Sequence, residues 1–351
     1  MRRYLLLTAP SSNRVYAGEA PRLTVAELSA FGERVLGARP RDPAPVTVGG
    51  VPYVGFSTDE PLSGRDLRHL SYLSSAYALF EVEGELLRPV TLTPPARYDE
   101  DLVTIPKYAG KTNEQFTRLL LNVTVLASTK AAQLAERRLV VLDPLAGRGT
   151  TLNHALRYGY DAIGIEIDGR HVDAYSAFLR TWLRRKRIKH TVELTPVRRD
   201  KRKVARRLSA TLAPTKEAMR AGDVQQVTML HADAVNARDL LHAGCCDVIV
   251  TDTPYGVAHG SLSRGAGAPA PGARERNPLD LLQAALPGWV ELLRRGGAMG
   301  LAVNTHVAPR DKVGALLEQA GLAVVDSPAY TGFAHWVDQG ITRDVVVAVK
   351  S

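Results

Sequence analysis

The chain has 351 residues, 45% of them hydrophobic, and a net charge of +9, which indicate a globular protein with a sizeable core and exclude a collagen-like, disulfide-rich or wholly disordered chain. No stretch approaches about 18 uninterrupted apolar residues, and the apolar run near Met1 is too short for a signal peptide, so we expect a cytoplasmic protein without a membrane span. The two cysteines, Cys245 and Cys246, are adjacent and lack a Cys or His cluster at zinc-ligand spacing, so we expect no metal site.

Residues 1–98 predict a small α+β appendage, for which RNA binding is a candidate role. Its predicted elements are a strand at 4–7, a helix at 23–35, two strands within 46–56, and a helix and a strand within 67–82. Thr24 is the candidate cap of the first helix. The proline-rich segment 89–98 predicts a linker. No motif in this region indicates a chemistry.

Residues 99–351 alternate between helical patterns and short apolar runs, which is typical of an α/β domain. The predicted strands are 139–142, 162–165, 227–230, 247–250, 298–303, 322–325 and 345–349. Because these strands are continuously apolar, we expect a seven-stranded Rossmann-like sheet, mostly parallel, with helices on both faces. A helix at 279–295 is predicted to end at Gly296-Gly297.

The positive charge is concentrated in one part of a predicted insert, residues 184–222. Residues 184–207 contain twelve Lys or Arg and two acids, a net charge of +10, so the rest of the chain has a net charge of −1. Such a segment predicts a polyanionic partner, and a solvated helix face or a basic tether is the alternative. The candidate nucleic-acid contacts are Arg184, Arg185, Lys186, Arg187, Arg198, Arg199, Arg202 and Arg206.

A glycine loop, Asp143-Pro-Leu-Ala-Gly-Arg-Gly-Thr150, follows the first strand of the α/β domain and opens a helix. Its glycines allow a tight turn and a close approach of the backbone to a ligand. A dinucleotide-binding fingerprint would have glycine where Leu152 stands. The acid at Asp143 would repel a pyrophosphate and favours a ligand with a cationic amino group, such as the methionine end of S-adenosylmethionine.

Three further acids follow the next three strands. Glu166 ends the second strand and is suited to accept hydrogen bonds from ribose hydroxyls, and Asp233 follows the third and is suited to accept from an adenine amino group. Asp252 follows the fourth. Each alone is also typical of a helix cap or a turn, but all lie where doubly wound folds bind ligands, at the carboxyl ends of strands.

These motifs resemble those of amino-methyltransferases that act on nucleic-acid bases, whose catalytic motif is Asp or Asn, then Pro-Pro, then an aromatic residue. The chain has Asp252-Thr253-Pro254-Tyr255, so Thr253 departs from the pattern. Within this superfamily the chain is most similar to the THUMP-linked tRNA guanine-N2 methyltransferases. That resemblance rests on Gly256 after the tyrosine, on segment 107–114 (KYAGKTNE) and on segment 337–344 (VDQGITRD).

The resemblance covers residues 99–351 and implies methyl transfer from S-adenosylmethionine to an exocyclic amine, with tRNA as the partner. Asp252 and a main-chain carbonyl near Pro254 would accept the amine hydrogens, and Tyr255 would stack on an extruded base. Thr112 and Gln115 predict a capping box at a helix start. The candidate cofactor-binding residues are Lys107, Thr112, Asn113, Asp143, Leu145, Gly147, Gly149, Thr150, Glu166, Ile167, Asp233, Ala234 and Asp252.

Several alternatives remain open. The same catalytic motif serves DNA methyltransferases that make N6-methyladenine or N4-methylcytosine, and enzymes that methylate glutamine amides in proteins. An RNA-binding protein with an inactive methyltransferase fold is a third alternative. The segment 257–277, rich in Gly, Ala and Pro, predicts a lid that closes on substrate, and a passive insertion is the other interpretation. Residues 1–98 fall short of a full THUMP module.

Overall fold

The computed structural model describes residues 1–106, 111–135, 139–199, 202–255 and 277–351. Its amino-terminal part is an antiparallel sheet of five strands among the described residues, in the order β2-β3-β1-β4-β5. The elements are β1 (Arg2–Thr8), α1 (Arg14–Arg34), β2 (Arg41–Val48), β3 (Val51–Thr58), α2 (Gly64–Leu70), β4 (Ala76–Glu83) and β5 (Leu86–Val90). The predicted α+β character of this region is confirmed.

Helix α1 begins nine residues before its predicted start. Asn13 caps it by accepting hydrogen bonds from the backbone N–H groups of Val15 (3.0 Å) and Tyr16 (3.1 Å). The prediction of Thr24 as the cap is wrong, because Thr24 is buried inside the helix and its hydroxyl donates to the Ala20 carbonyl. The first turns contain glycine and proline, which are poor helix formers, so the sequence pattern did not indicate them.

The second sheet contains ten strands among the described residues, in the order β13-β15-β12-β11-β6-β7-β10-β9-β8, with β14 paired to β15. Its strands are β6 (Val140–Asp143), β7 (Asp161–Glu166), β8 (Lys189–Arg199), β9 (Arg202–Ala213), β10 (Gln225–His231), β11 (Cys246–Asp252), β12 (Leu293–Asn304), β13 (Leu322–Val324), β14 (His335–Asp338) and β15 (Ile341–Lys350). Its helices are α3 (Asp101–Thr104), α4 (Glu114–Ala127), α5 (Thr150–Tyr158), α6 (Gly169–Arg185), α7 (Lys216–Arg220), α8 (Ala237–Leu240), α9 (Pro278–Leu292) and α10 (Arg310–Gln319).

The centre of this sheet is parallel and doubly wound. Strands β10, β7, β6, β11 and β12 pair in parallel, and β15 runs antiparallel to β12 and β13. Apolar residues of α4, α5 and α6 form a core with one face, while those of α8, α9 and α10 form a core with the other. The predicted seven-stranded Rossmann-like sheet with helices on both faces is therefore confirmed, with the antiparallel hairpin β8–β9 and the short β14 added to it.

The chain reverses its direction of travel across the sheet between β6 and β11. From β6 it moves outward through β7 to β10, and it then returns to β11 on the other side of β6. In doubly wound folds the crevice at such a switch point is where ligands bind, at the carboxyl ends of the strands. The topology alone therefore predicts a ligand site at the ends of β6 and β11.

The predicted end of the helix at 279–295 is wrong. Helix α9 ends at Leu292, and β12 starts at Leu293, which pairs with Cys246 of β11. Gly297 lies within β12, where an added Cβ would meet the Asp247 carbonyl at 2.5 Å. The glycine pair thus allows close contact between two backbones and does not stop the helix.

The amino-terminal part packs against the second sheet through α1 and α4, which share one hydrophobic core. The buried Glu27 of α1 accepts a hydrogen bond from Asn122 of α4 (2.7 Å) and from the Ser74 hydroxyl (2.6 Å). Tyr98, at the end of the predicted linker, is buried edge-on against Trp182. The boundary at residue 98 stays a prediction. No helix among the described residues is long and apolar enough to cross a membrane.

Candidate active site

Acidic residues form a row along the carboxyl edge of the second sheet. Asp252, Asp143 and Glu166 end the neighbouring strands β11, β6 and β7, and Asp233 lies just beyond the next strand, β10. Because neighbouring strands lie about 4.8 Å apart, the row spans roughly 14 Å. It crosses the switch point between β6 and β11, so the structure brings the four predicted acids to one edge of the sheet.

The glycine loop turns sharply because two of its glycines adopt a positive φ. Gly147 has φ 53° and Gly149 has φ 80°. A Cβ on Gly149 would meet the buried Tyr175 ring at 2.5 Å, so this glycine allows tight packing of the loop against α6. A Cβ on Gly147 would meet nothing within 4 Å, so the loop is open on that side. Gly147 is therefore the glycine with room beside it for a ligand.

Glu166 connects the glycine loop to the turn that follows β7. One carboxylate oxygen accepts the Gly147 N–H (2.8 Å), and the other accepts the Asp168 N–H (2.7 Å). A carboxylate has about four acceptor positions, so hydroxyl groups of a ligand can still bind to it. Beside it, Ile167 is 62% exposed, which leaves an apolar surface at the same edge.

Asp143 lies deeper than the other acids and is 4% exposed. One of its oxygens accepts hydrogen bonds from the Thr251 hydroxyl (2.7 Å) and the Leu145 N–H (3.1 Å). Burial raises the pKa of Asp143 to about 6, against these hydrogen bonds, and the neighbouring Asp252 carboxylate acts in the same direction as burial. Asp143 thus supports the loop that it precedes and changes its charge near neutral pH.

Asp233 caps a short 3-10 helix, Ala234–Asn236, by accepting the Val235 N–H at 3.0 Å. The Ala234 carbonyl accepts the indole N–H of Trp289 (3.0 Å), which connects this turn to α9. Asp233 therefore has the helix-cap role that is the alternative interpretation of such acids. Cofactor binding by these two residues stays a prediction.

The Asp252 carboxylate is surrounded by hydroxyl donors. The Thr112 hydroxyl donates to one of its oxygens at 2.5 Å. The Tyr255 hydroxyl lies 2.5 and 2.6 Å from the two oxygens. A guanidinium nitrogen of Arg343 lies 3.8 Å away. The predicted catalytic acid thus lies at a junction of three parts of the chain that are far apart in sequence.

Tyr255 is held close to Asp252 in this arrangement. Burial and the Asp252 carboxylate raise the pKa of the Tyr255 phenol well above its usual value, so it is a neutral donor. The Tyr255 carbonyl accepts a hydrogen bond from the Asn304 amide (3.2 Å), and the adjacent Pro254 is exposed.

The departure at Thr253 has a structural role. Its backbone N–H and its hydroxyl both donate to the Ala302 carbonyl of β12, at 3.0 and 2.9 Å. Proline could make neither of these bonds, because it lacks both donors. The turn that contains the predicted catalytic motif is therefore fixed to the neighbouring strand by hydrogen bonds at the position where the resembling family has proline.

The predicted capping box at Thr112 is wrong. Asn113 is the cap of α4 and accepts the N–H groups of Gln115 (2.9 Å) and Phe116 (3.1 Å). Asparagine is a stronger helix cap than threonine, which leaves Thr112 free to bind Asp252. The Asn113 amide donates to Ser11 (3.1 Å), so the amino-terminal part reaches this site. Lys107 lies outside the described residues.

The basic segment comprises the end of α6 and the hairpin β8–β9, which extends the sheet beyond β10. Sequence patterns did not predict the hairpin. Four of the candidate nucleic-acid contacts are exposed: Arg184, Arg185, Arg187 and Arg198. The side chains of Arg199 and Arg202 lie outside the part of the chain that the structure describes.

Two other candidates of the basic segment form ion pairs within the chain. Lys186 lies 2.6 Å from Asp99 and 2.7 Å from Asp101. Arg206 lies 2.9 Å from Asp173. Their charges are therefore partly neutralised, and the four exposed arginines are better placed to meet phosphates.

Two further predictions concern a lid and a metal site. Of the predicted lid at 257–277, only Asn277 is described, and it caps α9 by accepting the Leu279 N–H at 3.1 Å. The rest of that segment, like Gly256, lies outside the described residues. Across the described ranges, no group of three or more His, Cys, Asp or Glu side chains is placed to hold a metal ion.

Arg343 was not identified as a functional residue from the sequence. It was noted only as part of segment 337–344, without a role. The available signal was the charged pair Arg343-Asp344 near the start of β15, just before its apolar run, since charges beside a buried strand often lie in a site. Its contact with Asp252 joins residues that lie 91 positions apart, which no local pattern shows.

The strand order defines a doubly wound α/β protein, and the row of acids lies at the switch point, where folds of this class bind ligands. No protein-family model matches the chain, and no curated protein matches it. Solved structures do resemble it. TrmN from Thermus thermophilus is 15% identical, with 100% of each chain covered and a TM-score of 0.43. A TehB-like SAM-dependent methyltransferase from Corynebacterium glutamicum is 13% identical, covering 62% of this chain and 83% of that one, with a TM-score of 0.33. A precorrin-6y C5,15-methyltransferase from Geobacter metallireducens is 15% identical, covering 74% and 99%, with a TM-score of 0.38.

Proposed function

We propose that the chain transfers a methyl group from S-adenosylmethionine to an exocyclic amino nitrogen of a nucleic-acid base, with guanine N2 in tRNA as the target. The observation that carries this proposal is the position of Asp252. It ends β11 at the switch point, next to exposed Pro254 and to Tyr255, on a turn fixed to β12 by Thr253. The tRNA guanine-N2 assignment rests on the sequence motifs.

The residues present fit S-adenosylmethionine. Gly147 leaves open space at the glycine loop, Glu166 offers acceptors for ribose hydroxyls, and exposed Ile167 offers an apolar surface for adenine. Asp143 supplies negative charge near the methionine amine. The bound cofactor supplies an electrophilic methyl group on its sulfonium. The other proposed contacts are Lys107, Thr112, Asn113, Leu145, Gly149, Thr150, Asp233, Ala234 and Asp252.

The chemical task at Asp252 is to activate a weak nucleophile. The lone pair of an exocyclic amine is delocalised into its ring, and acceptors on its hydrogens shift the nitrogen towards sp³. Asp252 and a carbonyl near Pro254 serve as these acceptors, and positioning contributes most of the rate. As the N–C bond forms and the C–S bond breaks, one amine proton leaves through Asp252 to solvent. The Tyr255 hydroxyl must first move off the carboxylate, which frees the ring to stack on the base.

Nucleic acid binds through the basic segment in this proposal. Phosphates release counterions when they meet Lys or Arg, so exposed arginines supply affinity without reading sequence. The exposed side chains at the end of α6 and on β8 are suited to this role, while Lys186 and Arg206 hold the segment in place through their ion pairs. Residues 1–98 are proposed as a second RNA contact, because they reach the site through Ser11.

The test is a methyl-transfer assay with labelled S-adenosylmethionine on tRNA and on double-stranded DNA, followed by nucleoside mass spectrometry. We expect N2-methylguanosine from tRNA. N6-methyladenine or N4-methylcytosine from DNA would replace the RNA proposal by the DNA alternative. S-adenosylmethionine should raise the melting temperature, and NAD should not. Stabilisation by NAD alone would contradict the cofactor assignment.

The role of Asp252 is tested by Asp252→Ala, with the exposed Asp311→Ala on α10 as the matched control. Loss of one preorganised polar group should reduce single-turnover methyl transfer by on the order of 10². Cofactor affinity should fall far less than methyl transfer, because Asp252 is one of many proposed cofactor contacts and its main role is towards the base. Methyl transfer by Asp252→Ala at the wild-type rate, with both substrates saturating, would show that the mechanism is wrong.

A further inference from the structure

Arg343 is held in place by its neighbours on both sides of β15. Its register partner on β12 is Asn304, and its partner on β14 is His335. The residue is 5% exposed. Because the Arg343 backbone pairs with a neighbouring strand on each side, its guanidinium is held at the carboxyl edge of the sheet.

The guanidinium of Arg343 contacts two aromatic rings and one carboxylate. It lies 4.4 Å from the centroid of Phe116 and 5.0 Å from that of Tyr255. Its distance to Asp252 is 3.8 Å, longer than a direct hydrogen bond. Among the described residues its Nε–H has no hydrogen-bond partner. The Tyr255 hydroxyl and the Asp252 carboxylate, which both act on the guanidinium, belong to the predicted catalytic motif, so this buried cation has the character of a functional group.

Arg310 of α10, which lies close to β15, provides a comparison because its role is structural. It donates to Asp344 (3.1 Å) and to the carbonyls of Val345 (2.6 Å) and Tyr330 (3.2 Å). Asp344 follows Arg343 on β15, and successive strand residues point to opposite faces of a sheet. The Arg343 side chain and the Arg310–Asp344 pair therefore lie on opposite faces of β15. Of the two arginines, Arg310 is the one whose donors join elements of the fold.

We propose that Arg343 is a positioning residue of the methyl-transfer site, holding the Asp252 carboxylate oriented towards the base and holding the Tyr255 ring beside it. This inference rests on the proposed function. A cation attracts a carboxylate at this distance, and the face of an aromatic ring attracts a guanidinium. When the Tyr255 hydroxyl leaves Asp252 to admit the amine, Arg343 remains as the nearby positive charge.

The experiment compares Arg343→Met and Arg343→Lys with Arg310→Met in the full chain. For Arg343→Met we expect a loss in kcat of about tenfold or more at saturating S-adenosylmethionine, with the affinity for S-adenosylmethionine nearly unchanged, because the Asp252 carboxylate is no longer held towards the base. Arg343→Lys keeps the charge, so its kcat should lie close to that of the wild type. Its KM for RNA should rise by about tenfold, because an ammonium group cannot lie flat against the Tyr255 ring. Arg310→Met should lower the melting temperature and leave kcat and KM nearly unchanged.

Two results would overturn the inference. One is a kcat of Arg343→Met equal to those of the wild type and of Arg310→Met. The other, decisive if Arg343→Met does not fold, is a KM of Arg343→Lys for RNA equal to that of the wild type. The inference and the proposed function fail separately. Inactive Asp252→Ala with fully active Arg343→Met removes only the role of Arg343. Fully active Asp252→Ala removes the mechanism itself. In the Asp252→Ala background, Arg343→Met should cause no further loss of kcat.

Discussion

The carboxyl edge of the second sheet and its basic segment differ in how their charges are held. At the edge, Asp252, Glu166 and Asp143 are fixed by hydroxyl and N–H donors, and Asp143 is almost fully buried. In the basic segment, arginines such as Arg184 and Arg198 extend into solvent. A single preorganised group has a large effect on a reaction, whereas each exposed charge adds a small effect on binding that salt screens. Under the proposed function the chain separates chemistry from affinity, and each substitution below tests that separation.

The largest of these effects is expected at Asp143. Asp143→Asn should weaken S-adenosylmethionine binding by roughly 10–100-fold, as expected for the loss of a charged partner. Because the folded pKa is about 6, wild-type affinity should fall as pH drops below about 6, where the carboxyl is neutral, and level off above it. The variant should show no such pH dependence. Calorimetric titrations from about pH 5 to about pH 8 measure both, and a wild-type affinity independent of pH would remove Asp143 from the cofactor site.

Substitutions at Tyr255 test whether this residue contributes to RNA affinity through its ring or through its hydroxyl. Tyr255→Ala should weaken RNA binding by about 1–3 kcal/mol, the contribution of stacking on one base. Tyr255→Phe keeps the ring and loses the hydroxyl that occupies Asp252, so its RNA affinity should match or exceed that of the wild type. Equilibrium binding with both variants provides the comparison. Equal losses in the two would mean that the hydroxyl, and not the ring, binds RNA.

Substitution of the exposed arginines should weaken nucleic-acid binding in small, additive steps. Replacing Arg184, Arg185 and Arg198 by Ala should reduce the slope of log affinity against log salt by about one for each phosphate that is no longer bound. Folding should be nearly unaffected. Arg238→Ala, at a surface arginine paired with Glu291 on the α8–α9 side, is the matched control. A slope equal to that of the control would leave the basic segment as a solvated surface.

The smallest effect is expected at Thr253. Thr253→Val removes the hydroxyl bond to Ala302 and keeps the backbone bond, so it should reduce the free energy of unfolding by about 1 kcal/mol. Methyl transfer should persist, because the turn keeps its N–H attachment. Chemical denaturation and the transfer assay check the two statements. A loss of turnover as large as that of Asp252→Ala would show that the hydroxyl itself takes part in the chemistry.

The sequence predicted the parts of the molecule that are specified locally. Apolar runs with glycine and acid at their ends define the strands, and parallel pairing brings Asp143, Glu166 and Asp252 to one edge. The hairpin β8–β9 was not predicted, because its charges obscured the alternation of its apolar residues. The contacts of Thr112 and Arg343 with Asp252 were not predictable either, since each joins distant positions and depends on how α4 and β15 pack against the central strands.

The hairpin has one more consequence, for the behaviour of many copies of the chain in solution. Strand β8 is the edge of the sheet among the described strands, and an open edge is a template for pairing with another sheet. Pro196 within β8 lacks an N–H to offer, and Lys189 and Arg198 at its ends bring positive charge. Two such edges would repel each other, so this strand disfavours edge-to-edge pairing between copies of the chain.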